Sequence, residues 1–493
     1  MSYLDLSIEE MHEAIINSKV TPEELVKESL QRAKEYQEEY NSFVTITEKE
    51  ALDEVTKIDN NDSYLYGIPC AIKDNLSTKG ILTTASSNIL KDYVPCFDAT
   101  VVSKLKESGS ISIGKTVLDE LAMGGTGTTG HTGIVRNPWN KERLIGGSSA
   151  GSCAAVASGI VPFAIGSDTG DSIRKPAIYG GIVGFKPTYG RISRFGLFPF
   201  ACSLDHVGCF ARNVKDIAYV VDAIKGHDEK DMTSLENDNV KYSDLLNGDV
   251  KGKKVFYIKE IMDINNYEGE VDNELEEVFK NFESVKEKCS ELDMEVCEES
   301  IDIRLLKAIF STYITISCAE ATSNNSNLTG IQFGPRGEGK NIEEIMFDAR
   351  TKGFSELIKR RFVLGSYVLQ KENQEKLFLN AGRIRRLIVD KFNELFEKYD
   401  AFILPGSSSI APKFQSENID KLSNRYLLLE NHMAIGNFGG MPSITIPSGK
   451  IDNMPIGICI TGKAKDDLNV LNIAYALENV LGQKGQIAGK ENK

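Results

Sequence analysis

The residues best suited to chemistry are serines in glycine-rich segments, together with one lysine upstream of them. Residues 146–152 read Gly-Gly-Ser-Ser-Ala-Gly-Ser, and residues 166–176 read Gly-Ser-Asp-Thr-Gly-Asp-Ser-Ile-Arg-Lys-Pro. A serine hydroxyl becomes a nucleophile when a base removes its proton, and lysine can replace histidine as that base. Lys73 follows the apolar pair Ala71-Ile72, as expected at the end of a strand facing a core, where burial favours the neutral amine. This pattern is typical of hydrolysis through an activated serine.

Other common catalytic and cofactor motifs are missing from the sequence. None of the five histidines pairs at the helical spacing of a zinc site, and neither a GxSxG elbow nor a GxxxxGK[ST] loop occurs. The segment Gly124-Gly125-Thr126-Gly127 lacks the glycine order of a dinucleotide-binding turn. The nine cysteines include no CxxC pair, which argues against zinc or a disulfide framework. We therefore expect no metal and no bound cofactor in this chain.

Charge and hydropathy restrict the partners. The formal net charge over 493 residues is −14, which disfavours wide direct contact with a nucleic-acid backbone. If the reaction product is used on RNA, a partner protein is expected to hold that RNA. The N-terminus lacks the basic start of a secretory signal, and the weakly polar run 154–166 is too short and glycine-rich to span a bilayer. We expect a cytoplasmic protein without direct membrane contact.

Four segments together resemble the amidase-signature family. They are the two serine segments above, Gly184–Gly190 (GFKPTYG) and Gly67–Asn75 (GIPCAIKDN). The intervals of 75 residues from Lys73 to Ser148 and of 24 residues from Ser148 to Ser172 also match that family. The resemblance implies that Ser172 is the nucleophile, Ser148 the proton relay and Lys73 the base. A serine hydroxyl can donate and accept a proton at once, as a relay requires.

The resemblance also assigns residues that stabilise and bind the substrate. It places the donors for the oxyanion on the backbone N–H groups of Thr169, Gly170, Asp171 and Ser172. It implies substrate-binding positions at the residues Gly124, Gly125, Tyr313, Arg361 and Glu430. For glutamine, Arg361 would receive the α-carboxylate and Glu430 the α-ammonium group, since each needs an opposite charge. Separately, we expect Asp168 and Arg174 to form an ion pair that supports the loop.

Within the family, the likeness is greatest to the A subunits of bacterial tRNA-dependent amidotransferases, through phrases such as IKDN, SIRKPA and KPTYGRISRFGL. It implies a glutaminase that frees ammonia, which a partner uses to convert Glu-tRNA(Gln) or Asp-tRNA(Asn). The implied assembly is a heterotrimer in which the chain is joined by a small clamp subunit and by a larger subunit that binds tRNA and ATP. ATP and Mg²⁺ are expected on the partner, and tRNA is expected to bind mainly there.

The sequence departs from that branch at several places. Asp171 replaces a glycine, which adds a carboxylate where negative charge develops during catalysis. The segment Gly124–Gly133 (GGTGTTGHTG) and residues 370–373 (QKEN) also differ from the usual pattern. These departures leave two alternatives: a stand-alone amidase that acts on another small amide, and a paralogue that is an impaired scaffold.

The segments that hold these residues predict one large α/β domain. We expect a mixed central sheet, mostly parallel in sense, that is flanked by helices. Residues 1–60 are predicted to be an N-terminal helical segment with a short strand at 41–47, followed by the amidase-signature domain at 61–485. Charge-rich amphipathic segments predict a helical cap at about 270–400.

Overall fold

The computed structural model of the protein describes residues 2–59, 61–414 and 420–490. In these residues the strands are β1 (Phe43–Ile46), β2 (Pro69–Lys73), β3 (Ile111–Thr116), β4 (Arg136–Asn137), β5 (Asn140–Leu144), β6 (Phe163–Asp168), β7 (Val183–Lys186), β8 (His206–Ala211), β9 (Lys254–Ile258), β10 (Glu295–Glu299), β11 (Ala401–Pro405), β12 (Ser443–Ile451) and β13 (Met454–Gly462). Eleven of them form one sheet in the order β1-β3-β2-β6-β8-β7-β12-β13-β11-β9-β10, while β4 and β5 form a separate hairpin.

Helices surround this sheet. In the described residues they are α1 (Ile8–Ile16), α2 (Pro22–Tyr40), α3 (Glu48–Val55), α4 (Thr100–Glu107), α5 (Ala150–Ala157), α6 (Arg174–Gly180), α7 (Val214–Ile224), α8 (Tyr242–Leu245), α9 (Lys259–Met262), α10 (Asn273–Glu291), α11 (Ile303–Asn324), α12 (Ile342–Gly353), α13 (Glu356–Leu369), α14 (Lys371–Gln374), α15 (Asn380–Leu395), α16 (Ala434–Phe438) and α17 (Asp467–Leu481). No helix in this part of the chain is long and apolar enough to cross a membrane.

Local sequence signals explain where several elements begin. Thr21 caps α2 by accepting from the N–H of Glu24, whose carboxylate in turn accepts from the N–H of Thr21, and Pro22 is the first helical residue. The small residues after Ser149 form α5, which is fully buried. Phe163–Asp168 forms the buried strand β6.

The expectation of a mixed sheet flanked by helices is confirmed, but the expectation of mostly parallel pairing is wrong. Parallel pairs join β2 to β3 and β6, and β9 to β10 and β11. Antiparallel pairs join β1–β3, β6–β8, β7–β8, β7–β12, β12–β13 and β11–β13. The centre of the sheet, from β6 to β11, is therefore antiparallel. For β12 and β13 the reason is local, because a tight turn rather than a crossover helix joins these consecutive strands.

The segment at 270–400 divides into two parts with different packing. Phe282, Val285 and Cys289 of α10 are buried in one apolar core with residues of β12 and α17, so α10 flanks the sheet. This segment also contains the strand β10, which pairs with β9. The helices α11, α12, α13 and α15 share a different core, with the 3₁₀ turn Glu120–Ala122 and the loop before β8. These are the helices of the predicted cap, and α11 and α13 carry Tyr313 and Arg361.

Candidate active site

Two adjacent parallel strands bring the candidate base to the nucleophile loop. Because β2 and β6 are paired in parallel, their carboxyl ends meet at one edge of the sheet. Lys73 is the last residue of β2, and Asp168 is the last residue of β6. Ser148 lies just before α5, after a cis peptide bond from Gly147. Neither Lys73 nor Ser148 is exposed to solvent.

Lys73 is surrounded by hydroxyl groups. Its Nζ lies 2.9 Å from Oγ of Ser148, 2.8 Å from Oγ of Ser149 and 2.8 Å from Oγ of Ser167. Burial lowers the pKa of Lys73 to about 7, although the negative charges of Asp119, Asp168 and Asp205 oppose the shift. A large fraction of this lysine is therefore neutral near pH 7 and able to accept a proton.

Ser149 and Ser167 are functional neighbours that the sequence did not single out, although both lie beside residues that it did. The hydroxyl of Ser149 donates to the backbone carbonyl of Ser167 at 3.0 Å, and both serine hydroxyls lie 2.8 Å from Nζ of Lys73. The sequence hints at Ser149 only through the run of two serines before a buried helix. That run does not indicate which hydroxyl contacts which partner.

Ser172 lies in the loop between β6 and α6, and its side chain reaches a small opening. The residue is 4% exposed, whereas Ser148 is fully buried. In the described part of the chain no hydrogen bond joins the hydroxyl of Ser172 to another residue, Ser148 included. The backbones of the two segments are nevertheless joined, because the N–H of Ser149 donates to the carbonyl of Ser172 at 3.2 Å. The segment that carries Ser172 is thus held against the segment that carries Ser148 and Ser149.

The backbone N–H groups of residues 169–172 point to no acceptor within the described residues. The neighbouring groups are held firmly: the hydroxyl of Thr169 donates to Asp205 at 2.6 Å, and the carbonyl of Gly170 accepts from Arg174 at 2.7 Å. A row of unpaired N–H groups beside a serine is a ready site for a developing oxyanion. Thr169, Gly170 and Asp171 thus lie beside Ser172 with N–H groups that have no partner in the described residues, and their role as oxyanion donors stays a prediction.

The expected ion pair between Asp168 and Arg174 is confirmed, and it anchors this loop. Arg174 donates to both carboxylate oxygens of Asp168, at 2.9 and 3.1 Å, and also to the carbonyl of Met433 and the side chain of Asn437. Burial raises the pKa of Asp168, but the charge and hydrogen bonds of Arg174 outweigh it and hold the pKa well below its usual range. Asp168 is therefore a fixed anion that does not exchange protons near pH 7.

Gly124 and Gly125 lie in a loop that Asp119 organises next to Ser148. The Asp119 carboxylate accepts from the N–H groups of residues 126–129, at 2.9–3.2 Å. Its own N–H donates to the carbonyl of Ser148 at 3.1 Å. A Cβ on Gly124 would lie 2.5 Å from Asp119, whereas a Cβ on Gly125 would meet nothing within 4 Å. Gly125 is thus the exposed part of the loop.

Tyr313 and Arg361 reach the site from the cap helices α11 and α13. The ring of Tyr313 covers the oxyanion loop so closely that a Cβ on Gly170 would lie 2.9 Å from it. Nη1 of Arg361 is buried without a hydrogen-bond partner in the described residues. Burial raises the pKa of Tyr313, and the positive charge of Arg361 opposes that shift.

Glu430 also lies near the loop, but it already has a partner that the sequence did not reveal. Lys175 donates to Glu430 at 2.6 Å, and the N–H of Ser408 donates to the other carboxylate oxygen at 2.7 Å. Burial raises the pKa of Glu430, but these partners outweigh it and lower the pKa to about 2. Glu430 also lines an open cleft of about 1040 Å³ that has Tyr179 and Arg425 on its walls.

Tyr426 is a second residue that the sequence did not reveal. It lies in the π-helical turn Arg425–Glu430, and its ring packs edge-on against Phe310. Burial raises its pKa to about 12, with contributions from the charges of Asp171 and Glu430. Since no motif surrounds this tyrosine, only its position in the fold reveals it.

The arrangement contains the parts of a serine amide hydrolase and no cluster that suggests metal chemistry. In the described ranges no three His, Cys, Asp or Glu side chains are grouped so as to hold a metal ion. The chemistry available is therefore that of a shielded lysine, a pair of serines and a row of N–H donors.

Comparisons with known proteins identify the family. The Amidase family model matches residues 24–471. The A subunit of glutamyl-tRNA(Gln) amidotransferase from Latilactobacillus sakei is 40% identical over 484 residues, which are 97% of this chain and 96% of that protein. The crystal structure of the corresponding A subunit from Thermotoga maritima has a TM-score of 0.79 and 35% identity, and covers 97% of this chain and 95% of that one. The native peptide amidase of Stenotrophomonas maltophilia shares the fold, with a TM-score of 0.83, 24% identity and 98% coverage of both chains. On its sequence and its structure, the chain belongs to the Amidase family.

Proposed function

We propose that this protein is the glutaminase subunit of a tRNA-dependent amidotransferase, which releases ammonia from glutamine for the conversion of Glu-tRNA(Gln) to Gln-tRNA(Gln). The observation that carries the chemical part is the contact of buried Lys73 with Ser148, next to the row of N–H donors before Ser172. The choice of glutamine is supported by the identity to the A subunits of glutamyl-tRNA(Gln) amidotransferases over nearly the whole chain.

Acylation begins when the hydroxyl of Ser172 turns toward Ser148 and attacks the side-chain amide carbon. The proton of Ser172 passes to Ser148, whose own proton passes to Lys73. The amide oxygen becomes negative and is received by the N–H groups of residues 169–172, an interaction whose loss typically costs about 3–4 kcal/mol of barrier per donor. The donors are in place beforehand because Arg174 and Asp205 fix the loop.

Collapse of the intermediate breaks the carbon–nitrogen bond. Lys73 returns its proton through Ser148 to the leaving nitrogen, which departs as ammonia, and the glutamyl group remains on Ser172. Water then attacks the ester while the same relay takes its proton, and Ser172 recovers its hydroxyl as glutamate leaves. The relay therefore ends each turnover in the state in which it began.

We assign the remaining partners from the charge of the chain and from the requirements of the reaction. The net charge of −14 is consistent with leaving tRNA to a basic partner surface. We assign ATP and Mg²⁺ to that partner, a small clamp subunit to the same complex, and the reaction to the cytoplasm, where tRNA is charged. Arg361, whose buried Nη1 has no hydrogen-bond partner in the described residues, is the proposed ligand of the glutamine carboxylate.

One observation favours a second candidate, an amidase for a small amide other than glutamine. Lys175 already neutralises Glu430, the residue expected to hold the ammonium group of glutamine. An amide without that group would need no free carboxylate at this position.

The test is ammonia release by the purified chain, alone and co-expressed with the two proposed partner subunits. Glutamine, asparagine and simple aliphatic amides are compared, with Ser172→Ala as the control. We expect release from glutamine that depends on the partners and disappears in the control. Release only from amides that lack an amino-acid backbone would replace the proposal with the second candidate.

A further inference from the structure

The carboxylate expected to bind the ammonium group of glutamine has no free oxygen. Glu430 accepts from Lys175 at 2.6 Å through one oxygen and from the N–H of Ser408 at 2.7 Å through the other. The side chains of Lys175 and Glu430 are only 7% and 14% exposed. Lys175 is held further by the carbonyl of Gly406 at 3.0 Å. A substrate cation at Glu430 would have to displace a cation that the protein already supplies.

Asp171 offers the free carboxylate instead. It lies next to Ser172 and makes no hydrogen bond through its side chain within the described residues, and it is only half-buried. The other carboxylate on this loop, Asp168, is fully engaged by Arg174. Asp171 is therefore a carboxylate next to the nucleophile that has no hydrogen-bond partner in the described residues, although the charge of Lys175 acts on its pKa.

The surroundings of Asp171 are those of a substrate pocket. The ring of Tyr313 packs against the residue before Asp171, since a Cβ on Gly170 would lie 2.9 Å from it. Nη1 of Arg361 is buried without a hydrogen-bond partner in the described residues. The charges of Asp171 and Arg361 act with opposite signs on the pKa of Tyr313 and of Tyr426. An anion and a cation thus act on the same two tyrosines, and binding of an amino acid that carries both charges requires such a pair.

We infer that Asp171 is the specificity-determining residue that binds the α-ammonium group of the substrate, while Lys175 keeps Glu430 out of that role. The inference rests on the proposed function, because glutamine supplies the ammonium group. Asp171 and Glu430 carry two negative charges and Lys175 one positive charge, which leaves one negative charge for the substrate cation.

The protonation state of Asp171 suits this role. Burial raises the pKa of Asp171 to about 6, so its carboxyl group is mostly ionised at pH 7 and above. Glutamine carries its ammonium group in the same pH range, because an α-amino group next to a carboxylate loses its proton only under more alkaline conditions. The two opposite charges are therefore present together near neutral pH.

This assignment also gives a role to the departure from glycine at residue 171. A lone carboxylate beside the oxyanion would oppose the transition state through like-charge repulsion. A bound ammonium group neutralises that carboxylate, so only substrates that carry the cation remove the repulsion. The same residue would therefore select for amino-acid amides and against simple amides.

The test compares glutamine with 4-carbamoylbutanoate, which is glutamine without its α-ammonium group, on the complex with its partner subunits. The measured quantity is the ratio of kcat/KM for glutamine to that for 4-carbamoylbutanoate. We expect Asp171→Asn to lower this ratio by at least about tenfold, and Glu430→Gln to leave it within about threefold. A disturbed oxyanion loop would lower both rates together and leave the ratio unchanged, which would overturn the inference.

A double variant tests whether the preference for glutamine can be restored. Asp171→Gly combined with Lys175→Gln removes the free anion and releases Glu430, so the preference for glutamine should return relative to Asp171→Gly alone. Asp171→Glu keeps the charge and serves if Asp171→Asn does not fold. A ratio in Asp171→Asn equal to that of the wild type, with normal glutamine turnover, would refute the inference and leave the proposed function intact.

Failure of the proposed function would give a different experimental result from failure of this inference. In that case the wild-type complex would release no ammonia from glutamine. Calorimetric binding of glutamine and 4-carbamoylbutanoate to the Ser172→Ala complex then decides the inference without turnover. Equal affinity for the two compounds would overturn it, and weaker binding of the compound without the ammonium group, lost in Ser172→Ala/Asp171→Asn, would support it.

Discussion

Nζ of Lys73 lies 2.9 Å from Oγ of Ser148, and neither side chain is exposed to solvent. Burial makes the lysine a base near neutral pH, and the hydroxyl groups around it supply hydrogen bonds without a stabilising carboxylate. A carboxylate at hydrogen-bond distance would have favoured the charged ammonium form. The pair is therefore suited to accept a proton from a third residue, as the proposed mechanism requires.

The relay predicts an order of effects for three alanine substitutions. Ser172→Ala removes the nucleophile and should lower kcat at least about 10³-fold. Ser148→Ala interrupts proton transfer and should lower kcat by about 10²–10⁴-fold. Ser149→Ala is the matched control, because Lys73 keeps its contacts with Ser148 and Ser167, and it should have a clearly smaller effect. Ammonia release under saturating amide measures all three, and a Ser149→Ala loss as large as that of Ser148→Ala would contradict the relay.

The activity should depend on pH through Lys73. The base works when unprotonated, and its pKa is lowered to about 7, so kcat/KM should rise with pH and level off above about 7. Lys73→Arg should be inactive throughout, because a guanidinium remains charged.

Asp171 also ionises in this range, with a pKa raised to about 6 by burial. The profile of Asp171→Asn separates the two groups: it should keep the inflection near pH 7 if Lys73 is responsible. Loss of that inflection in Asp171→Asn would assign the pH dependence to the carboxyl group instead.

The sequence predicted the parts of this site that depend on short segments. Lys73 after its apolar pair and the two glycine-rich serine segments each lie within a few residues, so the sequence identifies them directly. The Asp168–Arg174 pair spans one loop and was equally accessible. The direction of the strands could not be predicted in this way, because it depends on how strands that are distant in the sequence, such as β7 and β12, pair.

Long-range pairing limited the prediction of the binding pocket. Lys175 and Glu430 are 255 residues apart, and nothing near either one indicates that they meet. The expectation that Glu430 is free for substrate was reasonable from its charge alone. In the fold, Lys175 lies against Glu430 and neutralises its charge. The fold also brings Tyr426 close enough to Asp171 for the charge of Asp171 to add to the burial that raises the pKa of Tyr426.

The ion pair between Asp168 and Arg174 should contribute to stability as well as to loop geometry. Both side chains are fully buried, and Arg174 makes further bonds to Gly170, Met433 and Asn437. Arg174→Met leaves Asp168 buried and uncompensated, and should lower the free energy of unfolding by about 3–5 kcal/mol. Urea denaturation measures the change, with Ser172→Ala as a control that removes one hydroxyl outside the pair. A loss below about 1 kcal/mol, well under the range for a broken buried pair, would show that the buried charges are compensated in another way.

The glycines of the loop near Ser148 provide a test that separates folding from substrate contact. A Cβ on Gly124 would lie 2.5 Å from Asp119, which holds the loop, so Gly124→Ala should disturb the loop and lower thermal stability. A Cβ on Gly125 meets nothing within 4 Å, so Gly125→Ala should fold with an unchanged melting temperature. If the exposed loop contacts the substrate, Gly125→Ala should raise KM severalfold while kcat changes less, since the added methyl group occupies substrate space. Steady-state kinetics with glutamine measure this, and wild-type KM in Gly125→Ala would remove Gly125 from the binding site.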